Sequence, residues 1–572
     1  MKKFVFFLLL FTAGITYSQM FQKITNQPLV TENGYGSGCA WGDYNNDGKL
    51  DIIVTSYNDF GSTTYPLLYK NLGNGNFQLA TDNTIMTNSL YQTLACAWGD
   101  YNYDGKMDIY IATGMNQPDL LYKNTGGGNF QRITNCVPVV AGHSGGVCWA
   151  DYNKDGYLDI LSVQHGYNLL YKGLPNGDFQ QITTGPIVTD YGNHRRACWG
   201  DYNNDRYPDL FVANGNTEND NLYLNNKNGT FTKITTGAIV NDSAYGSGCS
   251  WGDYNNDGWL DLFVTSSAKN ILYKNNTNGT FTKITAPFVA PSVSSFGCNW
   301  GDYDNDGDLD LFVANNYSTP NFLYRNDGGD NFTKVTNEIV GNESSSSVGA
   351  SWGDYNNDGK LDLFVVNQGY GGPAESDFLY KNVGASPWYL MLKFWGGGIG
   401  TRVKLRIGNY VAIREVSGGN SCSSQDMPWV HFGLGFLSDN PSSVADSVIV
   451  DWHDGNREVL TNVALNQELS FYGVVPVEQI SNEVPNAYSL EQNYPNPFNP
   501  TTNFKYSLKE SGFVSIKIFD MGGREVESIV NSVQPAGTYS VQFNGSRLSS
   551  GVYFYKLVTD KFTETRKMML VK

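Results

Sequence analysis

The chain has 572 residues, with 55 Asp and Glu against 38 Lys and Arg, and a formal net charge of −17. This acidic balance argues against nucleic acid as a partner, because nucleic-acid-binding proteins need basic patches that displace phosphate counterions. Aromatic residues make up 14% of the chain, which supplies a large core and argues against general disorder. The length predicts several domains.

The first 18 residues have the pattern of a secretory signal peptide. Lys2 and Lys3 precede an apolar stretch over 4–13, and the small Ser18 stands before Gln19, where we expect cleavage. No later apolar run approaches the ~18 residues of a membrane-spanning helix. The sequence therefore predicts an exported protein with no transmembrane segment in the mature chain.

Seven copies of one acidic motif follow, beginning with WGDYNNDGKLD at 41–51, and their first aspartates are 49–57 residues apart. Each copy lies among four strand-like pieces: a run into the motif, an LDLFV-like run out of it, an LYKN piece and an FTKIT piece. The turn between the last two is rich in Asn and Gly, which indicates a hairpin. Four antiparallel strands per repeat predict a seven-bladed β-propeller over residues 19–385.

The propeller region does not begin and end at a repeat boundary. The first FxxxT piece, at 21–25, comes before any LYKN piece, and the last LYKN piece, at 379–382, has no FxxxT piece after it. We predict that 21–25 completes the seventh blade, which closes the ring and leaves no bare sheet edge.

Oxygen-bearing side chains alternate within each motif. Counted from the first aspartate of the first copy, positions 1, 3, 5 and 9 are Asp43, Asn45, Asp47 and Asp51, with Gly48 at position 6. Ca²⁺ takes about six to eight oxygen ligands, and alternate residues of a curled loop can point inward together. One such loop could be a polar Asx-turn, but seven alike favour calcium. The predicted ligands in the other copies are Asp100, Asn102, Asp104 and Asp108; Asp151, Asn153, Asp155 and Asp159; Asp201, Asn203, Asp205 and Asp209; Asp253, Asn255, Asp257 and Asp261; Asp302, Asp304, Asp306 and Asp310; and Asp354, Asn356, Asp358 and Asp362.

Two copies depart from the common pattern. The sixth has an additional carboxylate in Asp304, so we expect it to bind calcium most tightly. In the fourth, Arg206 replaces the glycine and Pro208 stands at position 8. A non-glycine residue with positive φ costs free energy, and the charge of the arginine repels a cation. We therefore expect up to seven Ca²⁺ ions, with the site at Asp201–Asp209 the weakest or empty.

Other residues that recur in the repeats are interpreted as packing residues. Trp41, Tyr44 and their equivalents occur in every copy, which fits the filling of space between blades. Cysteines at equivalent positions of successive repeats are expected to be too far apart to bridge, so they are predicted to be small buried apolar residues. These cysteines are Cys39, Cys96, Cys148, Cys198, Cys249 and Cys298.

The motif D-x-[ND]-x-D-G-x-x-D followed by LFV resembles the FG-GAP/VCBS repeat of integrin-α-like propellers and of many secreted bacterial proteins. The resemblance implies a seven-bladed propeller with Ca²⁺ in loops on one face. It also implies that partners dock elsewhere, on variable loops. We therefore expect specificity to lie in unlike loops such as 57–66 and 367–377.

Residues 386–475 differ in character from the repeats. GGGIGTRVKLRIGN (396–409), HFGLG (431–435) and SVIVDWHDG (447–455) resemble an ASPIC/UnbV domain. The glycines at 396–400 precede a strand-like run instead of a helix, which argues against a phosphate-binding loop. We predict a small β-rich domain here, followed by an extended linker over 476–487.

The last segment, 488–572, contains YSLEQNYPNPFNPTTNFKYSL (488–508), SIKIFDMGGREV (515–526) and SGVYFYKL (550–557). It closely resembles the C-terminal sorting domain of the type IX secretion system, a small β-sandwich. The resemblance implies Sec export, transfer across the outer membrane by the type IX machinery, and removal of the domain. The protein is then expected to be secreted or held on the outer-membrane surface of a Bacteroidota-like bacterium.

One motif suggests catalysis. GHSGG (142–146) fits G-x-S-x-G, with Ser144 as nucleophile, but that motif needs a strand–elbow–helix context, and here it begins a propeller strand. We predict no catalytic residues. The sequence predicts an all-β, calcium-binding propeller protein that acts in adhesion or ligand binding, with an extracellular protein or glycan as partner. The alternative is a polysaccharide-acting enzyme, a lyase or hydrolase, on a calcium-stabilised propeller.

Overall fold

The structure is a computed structural model, and strands dominate it. The predicted signal peptide 1–18, Cys136, residues 58–64 of the loop 57–66 and residues 369–373 of the loop 367–377 lie outside the described residues. The described residues are 19–31, 33–57, 65–87, 92–114, 117–134, 141–142, 144–242, 245–285, 293–368, 374–385, 388–437, 444–472, 477–481, 483–545, 548–559 and 561–572.

The acidic repeats form antiparallel sheets of four strands, and the third and fourth repeats join into one sheet of eight. When this sheet is counted as two, the described residues contain seven four-stranded units, here named blades 1 to 7 in chain order. The inner strands run into the acidic motif and are Gly36–Gly42, Thr93–Gly99, Ser144–Ala150, Tyr191–Gly200, Gly246–Gly252, Ser295–Gly301 and Ser347–Gly353. The second strands begin at the closing aspartate and are Asp51–Ser56, Asp108–Thr113, Asp159–Tyr167, Asp209–Asn214, Asp261–Ser266, Asp310–Asn315 and Asp362–Asn367.

The LYKN and FTKIT pieces form the two remaining strands of each blade. The third strands are Leu67–Gly73, Leu120–Gly126, Leu169–Gly173, Asn221–Asn225, Ile271–Asn275, Phe322–Asn326 and Phe378–Asn382. The outer strands are Asn76–Leu79, Asn129–Ile133, Phe179–Ile182, Phe231–Ile234, Phe281–Ile284, Phe332–Lys334 and, for blade 7, Phe21–Ile24. Neighbouring inner strands contact each other around the ring, and the last contacts the first. The predicted all-β propeller is confirmed.

The predicted closure of the ring is also confirmed. Phe21–Ile24 pairs antiparallel with Phe378–Asn382, in a register that places Phe21 opposite Asn382. The Phe21 side chain is 2% exposed, and its ring lies 5.6 Å from that of Tyr303 and 6.3 Å from that of Trp352. The first strand of the propeller thus becomes the outer strand of its last blade.

Short elements connect the blade strands. They are the helical turns Pro28–Thr31, Thr84–Thr87, Pro186–Thr189, Ala238–Val240 and Ile339–Gly341, and the paired two-residue strands Asn33–Gly34 with Glu375–Ser376, Gln117–Pro118 with Ala141–Gly142, and Thr319–Pro320 with Ser344–Ser345. Among the described residues, no helix has the length and apolar character needed to span a bilayer.

The second domain consists of two small sheets and the turn Gly435–Leu437. In the first sheet, Tyr389–Trp395 lies between Trp429–Gly433, to which it is antiparallel, and Gln467–Tyr472, to which it is parallel. The second sheet is antiparallel, with the order Tyr410–Glu415, Arg402–Ile407, Val444–Asp451 and Arg457–Ala464.

The C-terminal domain has two four-stranded sheets around one hydrophobic core. Their strands are Val477–Ser481, Gly537–Asn544, Thr501–Leu508 and Ser489–Leu490 in one sheet, and Glu525–Gln534, Gly512–Phe519, Gly551–Thr559 and Thr563–Leu570 in the other. The range 476–487, predicted as a linker, contains an edge strand, because Val477–Ser481 pairs with Gly537–Asn544. An extended segment beside an unpaired sheet edge satisfies backbone groups of both.

A loop of the second domain, residues 418–427, lies among the inner strands at the axis of the propeller. Ser421 exchanges backbone hydrogen bonds with Cys249, and the Gln425 N–H donates to Cys39 O at 2.9 Å. Inner-strand glycines provide the room: a Cβ atom on Gly38 would lie 2.1 Å from Ser423 O, and one on Gly349 would lie 2.5 Å from Ser424 Oγ. This axial loop gives partners to backbone groups on the inner edges of the blades.

We expect Phe21→Ala to destabilise the propeller by about 3–5 kcal/mol, the usual cost of removing a buried phenylalanine side chain. Gln22→Ala, on the exposed face of the same strand, is the matched control. Thermal and urea unfolding of the full chain, followed by tryptophan fluorescence, measures the effect. Equal stability of the two variants would show that this strand does not close the ring.

Candidate metal centres

The first aspartate of each motif organises its loop through both carboxylate oxygens. In loop 1, Asp43 Oδ1 accepts the N–H of Asp47 at 2.9 Å, and Oδ2 accepts that of Gly48 at 2.7 Å. Gly48 has φ 83°, a conformation that glycine adopts without strain. Both bonds recur at Asp100, Asp151, Asp201, Asp253, Asp302 and Asp354. The seven loops therefore share one backbone design.

The closing aspartate at position 9 is buried where the second strand begins. Asp51 Oδ1 accepts the backbone N–H of Asn71 at 2.7 Å, and Oδ2 accepts the amide of Asn45, at position 3, at 2.7 Å. In loops 4 and 5, Oδ2 of Asp209 and of Asp261 is buried without a hydrogen-bond partner. A buried carboxylate oxygen without a donor is costly, and in loop 5 a cation would satisfy it.

Position 3 behaves differently from loop to loop. Asn102, Asn153 and Asn356 direct their amides to the closing aspartates, as Asn45 does. In loops 3, 4, 5 and 6, the position-3 oxygen accepts the N–H of position 5, and the residues concerned are Asn153, Asn203, Asn255 and Asp304. In each loop, hydrogen bonds bring predicted ligand positions together.

Burial and mutual repulsion make these carboxylates hard to ionise. Burial, with a smaller contribution from Asp47, raises the pKa of Asp43 to about 6. Burial likewise raises the pKa of Asp354 to about 7. The pKa of Asp310 lies well above its usual value, because the side chain is buried and faces Asp304, Asp302 and Asp306. A divalent cation would remove this repulsion.

Loop 6 has the most suitable donor set. Carboxylate oxygens of Asp302, Asp304 and Asp310 lie within 4.8 Å of one another, the only acidic or His/Cys group of three with this spacing among the described residues. In several other loops, a lysine competes for the position-5 carboxylate. These pairs are Lys49–Asp47, Lys106–Asp104, Lys172–Asp155, Lys227–Asp205 and Lys360–Asp358, at 2.9–3.5 Å.

An asparagine at position 4, which the sequence analysis did not assign, links five of the acidic loops to the next loop. The position-4 residue Asn46 donates its amide to Gly105 O of the next loop at 2.9 Å. The same bond joins Asn204 to Gly258, Asn256 to Gly307, Asn305 to Gly359 and Asn357 to Gly48. The recurrence of Asn at position 4 was the sequence feature from which these contacts could have been predicted.

The asparagine of the LYKN piece joins each loop to the preceding blade. Asn71 donates its amide to Leu50 O at 3.0 Å and to Tyr355 O of blade 7 at 2.8 Å, while its backbone N–H binds Asp51. The equivalents are Asn124, Asn225, Asn275, Asn326 and Asn382. Blade 3 has Gly173 instead and keeps the backbone bond to Asp159.

The motif aromatic residues pack between blades, as predicted. Trp98 stacks on Tyr44 of the preceding blade, with ring centroids 6.3 Å apart, and its Nε1 donates to Ala40 O at 3.1 Å. A Cβ atom on Gly42 would lie 2.8 Å from Trp98, which explains the glycine after six of the seven motif tryptophans; Ala150 follows Trp149. The cysteines of the described residues are free and buried, as expected.

The second domain lies on the face that carries the acidic loops, here named the loop face. Gly433 N donates to Asp302 Oδ2 at 3.0 Å, and Ile413 N donates to Asp253 Oδ2 at 3.3 Å. His453 Nδ1 lies 3.5 Å from Asp151 Oδ2. The two domains also share apolar clusters. The candidate metal centres therefore lie at a domain interface.

Ser144 of the GHSGG motif is fully buried. Its hydroxyl is 2.9 Å from Asp119 Oδ2 and 3.1 Å from Ser162 Oγ. Asp119 in turn accepts the N–H of Thr113 at 2.8 Å. This network caps the end of a second strand and does not present a nucleophile to a substrate.

These features define a class: a β-propeller with repeated acidic loops, covered on the loop face by a β-rich domain and followed by a β-sandwich. Family comparison agrees with this description. The family described as FG-GAP-like repeat matches residues 43–111, 100–162, 151–212, 201–264, 253–313 and 302–365. These matches together span more than half of the chain, which belongs to this family.

Two further families match the remaining domains. Residues 396–475 match the ASPIC and UnbV family, and 492–572 match the secretion system C-terminal sorting domain. All three resemblances inferred from the sequence are confirmed. The sorting domain identifies a secreted or cell-surface protein of a Bacteroidota-like bacterium, directed to the type IX secretion machinery.

Solved structures show only a distant likeness. The Tc holotoxin pore of Photorhabdus luminescens has 12% identity and a TM-score of 0.32, with 89% of this chain and 22% of that chain covered. The extracellular domain of a hybrid two-component system of B. thetaiotaomicron has 9% identity and a TM-score of 0.26, with coverages of 93% and 68%. This chain thus spans about a fifth of the toxin chain. None of the curated proteins matches it.

We expect the metal-free protein to lose stability as the pH rises from 5 to 8. The pKa values of Asp43 and Asp354, about 6 and 7, exceed the unfolded value, so the folded state binds more protons in this range. That contribution is lost as pH passes through the folded pKa. Urea unfolding in chelator at each pH measures it.

The matched variant is Asp43→Asn, which cannot ionise and should weaken the pH dependence. Added calcium should restore stability most strongly at pH 8, where the carboxylates are charged. A stability of the metal-free protein that rises steadily from pH 5 to 8 would contradict the electrostatic account.

Proposed function

We propose that the protein is a calcium-stabilised binding protein of the bacterial surface, and that its ligand binds on the face opposite the acidic loops. The observation that supports this most directly is the position of the second domain. It covers the loop face by contacts with Asp151, Asp253 and Asp302, and the axial loop 418–427 occupies the centre of the ring. A large ligand therefore has the opposite face available.

The acidic loops fit calcium by the chemistry of their donors. Carboxylate and amide oxygens are hard ligands, the kind that Ca²⁺ prefers. The grouped oxygens of loop 6 and the unpartnered Asp261 Oδ2 of loop 5 offer places for a cation. Bound there, the ion would neutralise buried carboxylates whose hydrogen bonds also join adjacent blades. Calcium would thus act on the stability of the ring.

The opposite face carries exposed aromatic residues. Inner strands run toward the acidic loops and second strands run away from them, so the start of the former and the end of the latter lie on this face. Five propeller tyrosines on it are 42–77% exposed: Tyr65, Tyr167, Tyr191, Tyr245 and Tyr317. Tyrosine combines a broad apolar ring with a polar hydroxyl, which suits it to binding surfaces.

Two of these tyrosines lie where the repeat symmetry is broken. The second strand of blade 3 and the inner strand of blade 4 continue beyond the blades and pair with each other through Gly166–Gly192 and Tyr167–Tyr191. The rings of Tyr167 and Tyr191 are 5.2 Å apart at a steep angle. This ribbon joins blades 3 and 4 and is the best candidate for part of a ligand site.

We expect Asp304→Asn to weaken the tightest calcium site by about tenfold, or ~1.4 kcal/mol, because it removes one carboxylate and gives loop 6 the pattern of its neighbours. Competition titration with a fluorescent chelator measures the affinity. Asp327→Asn, on an exposed turn outside the acidic loops, is the control. If chelation also left the melting temperature of the wild type unchanged, the structural role of calcium would be refuted.

We expect the wild-type chain to bind one or more extracellular polysaccharides or surface proteins. We expect the double variant Tyr167→Ala/Tyr191→Ala to lose that binding. Leu72→Ala removes an exposed apolar side chain elsewhere on the propeller (52% exposed) and should have no effect. The full chain is tested against a polysaccharide panel and immobilised outer-surface proteins.

The same incubations discriminate the enzymatic alternative. New reducing ends or unsaturated products that appear with the wild-type chain would replace the binding function by polysaccharide cleavage. Unchanged binding in the double variant would place the ligand site elsewhere.

A further inference from the structure

One arginine of the second domain lies directly against the fourth acidic loop. Arg402 Nη1 donates to Oδ2 and to the backbone oxygen of Asp201, both at 3.1 Å. Its Nη2 donates to Asn204 Oδ1 and, at 3.2 Å, to Gly258 O of loop 5. The Arg402 side chain is 13% exposed and that of Asp201 is 9% exposed. One guanidinium therefore connects two loops with the second domain in a largely buried site.

Arg206, which replaces the glycine of the repeat pattern, also contacts the second domain. Arg206, at position 6, has φ 71°, yet its N–H still donates to Asp201 Oδ2 at 2.8 Å. Its guanidinium lies 3.7 Å from Asp451 of the second domain. A glycine would relieve the backbone conformation but would have no side chain for this ion pair. The arginine at position 6 thus forms an ion pair with Asp451 of the second domain.

Charged side chains of both domains meet at this loop. Lys227 Nζ lies 3.3 Å from Asp205, and Arg402 also lies 3.3 Å from Glu415 of its own domain. At loops 5 and 6, by contrast, the second domain donates neutral backbone N–H groups to the position-1 carboxylates, from Ile413 and Gly433. Loop 4 receives a charged donor at the equivalent oxygen.

We propose that loop 4 is a latch for the second domain instead of a metal site, and that Arg402 supplies there the positive charge that calcium supplies in the other loops. The comparison with the other loops rests on the proposed calcium function, whereas the latch itself requires no metal. The sequence analysis expected the fourth loop to be the weakest calcium site. In this proposal, the loop instead holds the propeller and the second domain together.

The metal part of the proposal is tested with a matched pair of variants. Asp209 and Asp261 close loops 4 and 5, and each buries an Oδ2 without a hydrogen-bond partner. Calcium bound per full-length chain is counted by equilibrium dialysis and atomic emission. We expect Asp261→Asn to lose one ion and Asp209→Asn to lose none. Loss of one ion in Asp209→Asn would overturn the proposal.

The latch is tested in chelator, without any metal. We expect Arg402→Gln to lower the melting temperature of the full chain by about 5 °C or more, because Asp201 and Glu415 lose their shared partner. Protease cleavage between the two domains should accelerate as well. Arg406→Gln, an exposed arginine on the same strand, should change neither property.

A milder variant covers the case in which Arg402→Gln does not accumulate as folded protein. Arg402→Lys keeps the charge but loses the two-pronged geometry of the guanidinium, and it should show an intermediate loss. Wild-type behaviour of the Arg402 variants in chelator would overturn the latch. If the wild type bound no calcium at all, the proposed function would fail, and the chelator measurements would still decide the latch.

Discussion

The fold depends on how it accommodates buried carboxylates. Every blade places an aspartate at the end of its inner strand and another at the start of its second strand, and both are removed from water. Backbone N–H groups satisfy part of each carboxylate, but the charges remain close together. The N–H that binds Asp51 belongs to Asn71, whose amide reaches Tyr355 of the neighbouring blade. The electrostatics of the acidic loops and the packing of adjacent blades are therefore coupled through shared residues.

The repeats allowed much of this to be predicted from the sequence. A period near 50 residues with four strand-like pieces predicts blades, and the phase of the FxxxT pieces predicts which strand closes the ring. These features come from local patterns that recur, so every copy supports the others. The same holds for Trp41 and Tyr44, whose packing role followed from their recurrence. The position-4 asparagines recur too, but their partners lie in the next loop, which a single repeat does not reveal.

The interface with the second domain could not be predicted in this way. The axial loop at 418–427 is small and polar, without a period, and only the inner-strand glycines such as Gly38 reflect its presence. Arg206 was recognised as a departure from the pattern, but its partner Asp451 lies far along the chain. Contacts of this kind depend on tertiary arrangement, to which propensity and spacing contribute little.

Under the proposed binding function, the regular loop face serves as the scaffold and the irregular opposite face serves as the ligand surface. The loop face repeats one geometry seven times, five of the loops bond to the next loop through Asn46 and equivalent residues, and the second domain covers this face. The connections on the opposite face lie away from these loops and differ in length and composition from blade to blade. In blades 3 and 4, the strands extend, pair and display Tyr167 and Tyr191. A surface that is both accessible and unlike its repeats can distinguish one ligand from another, whereas a sevenfold repeated and covered surface cannot.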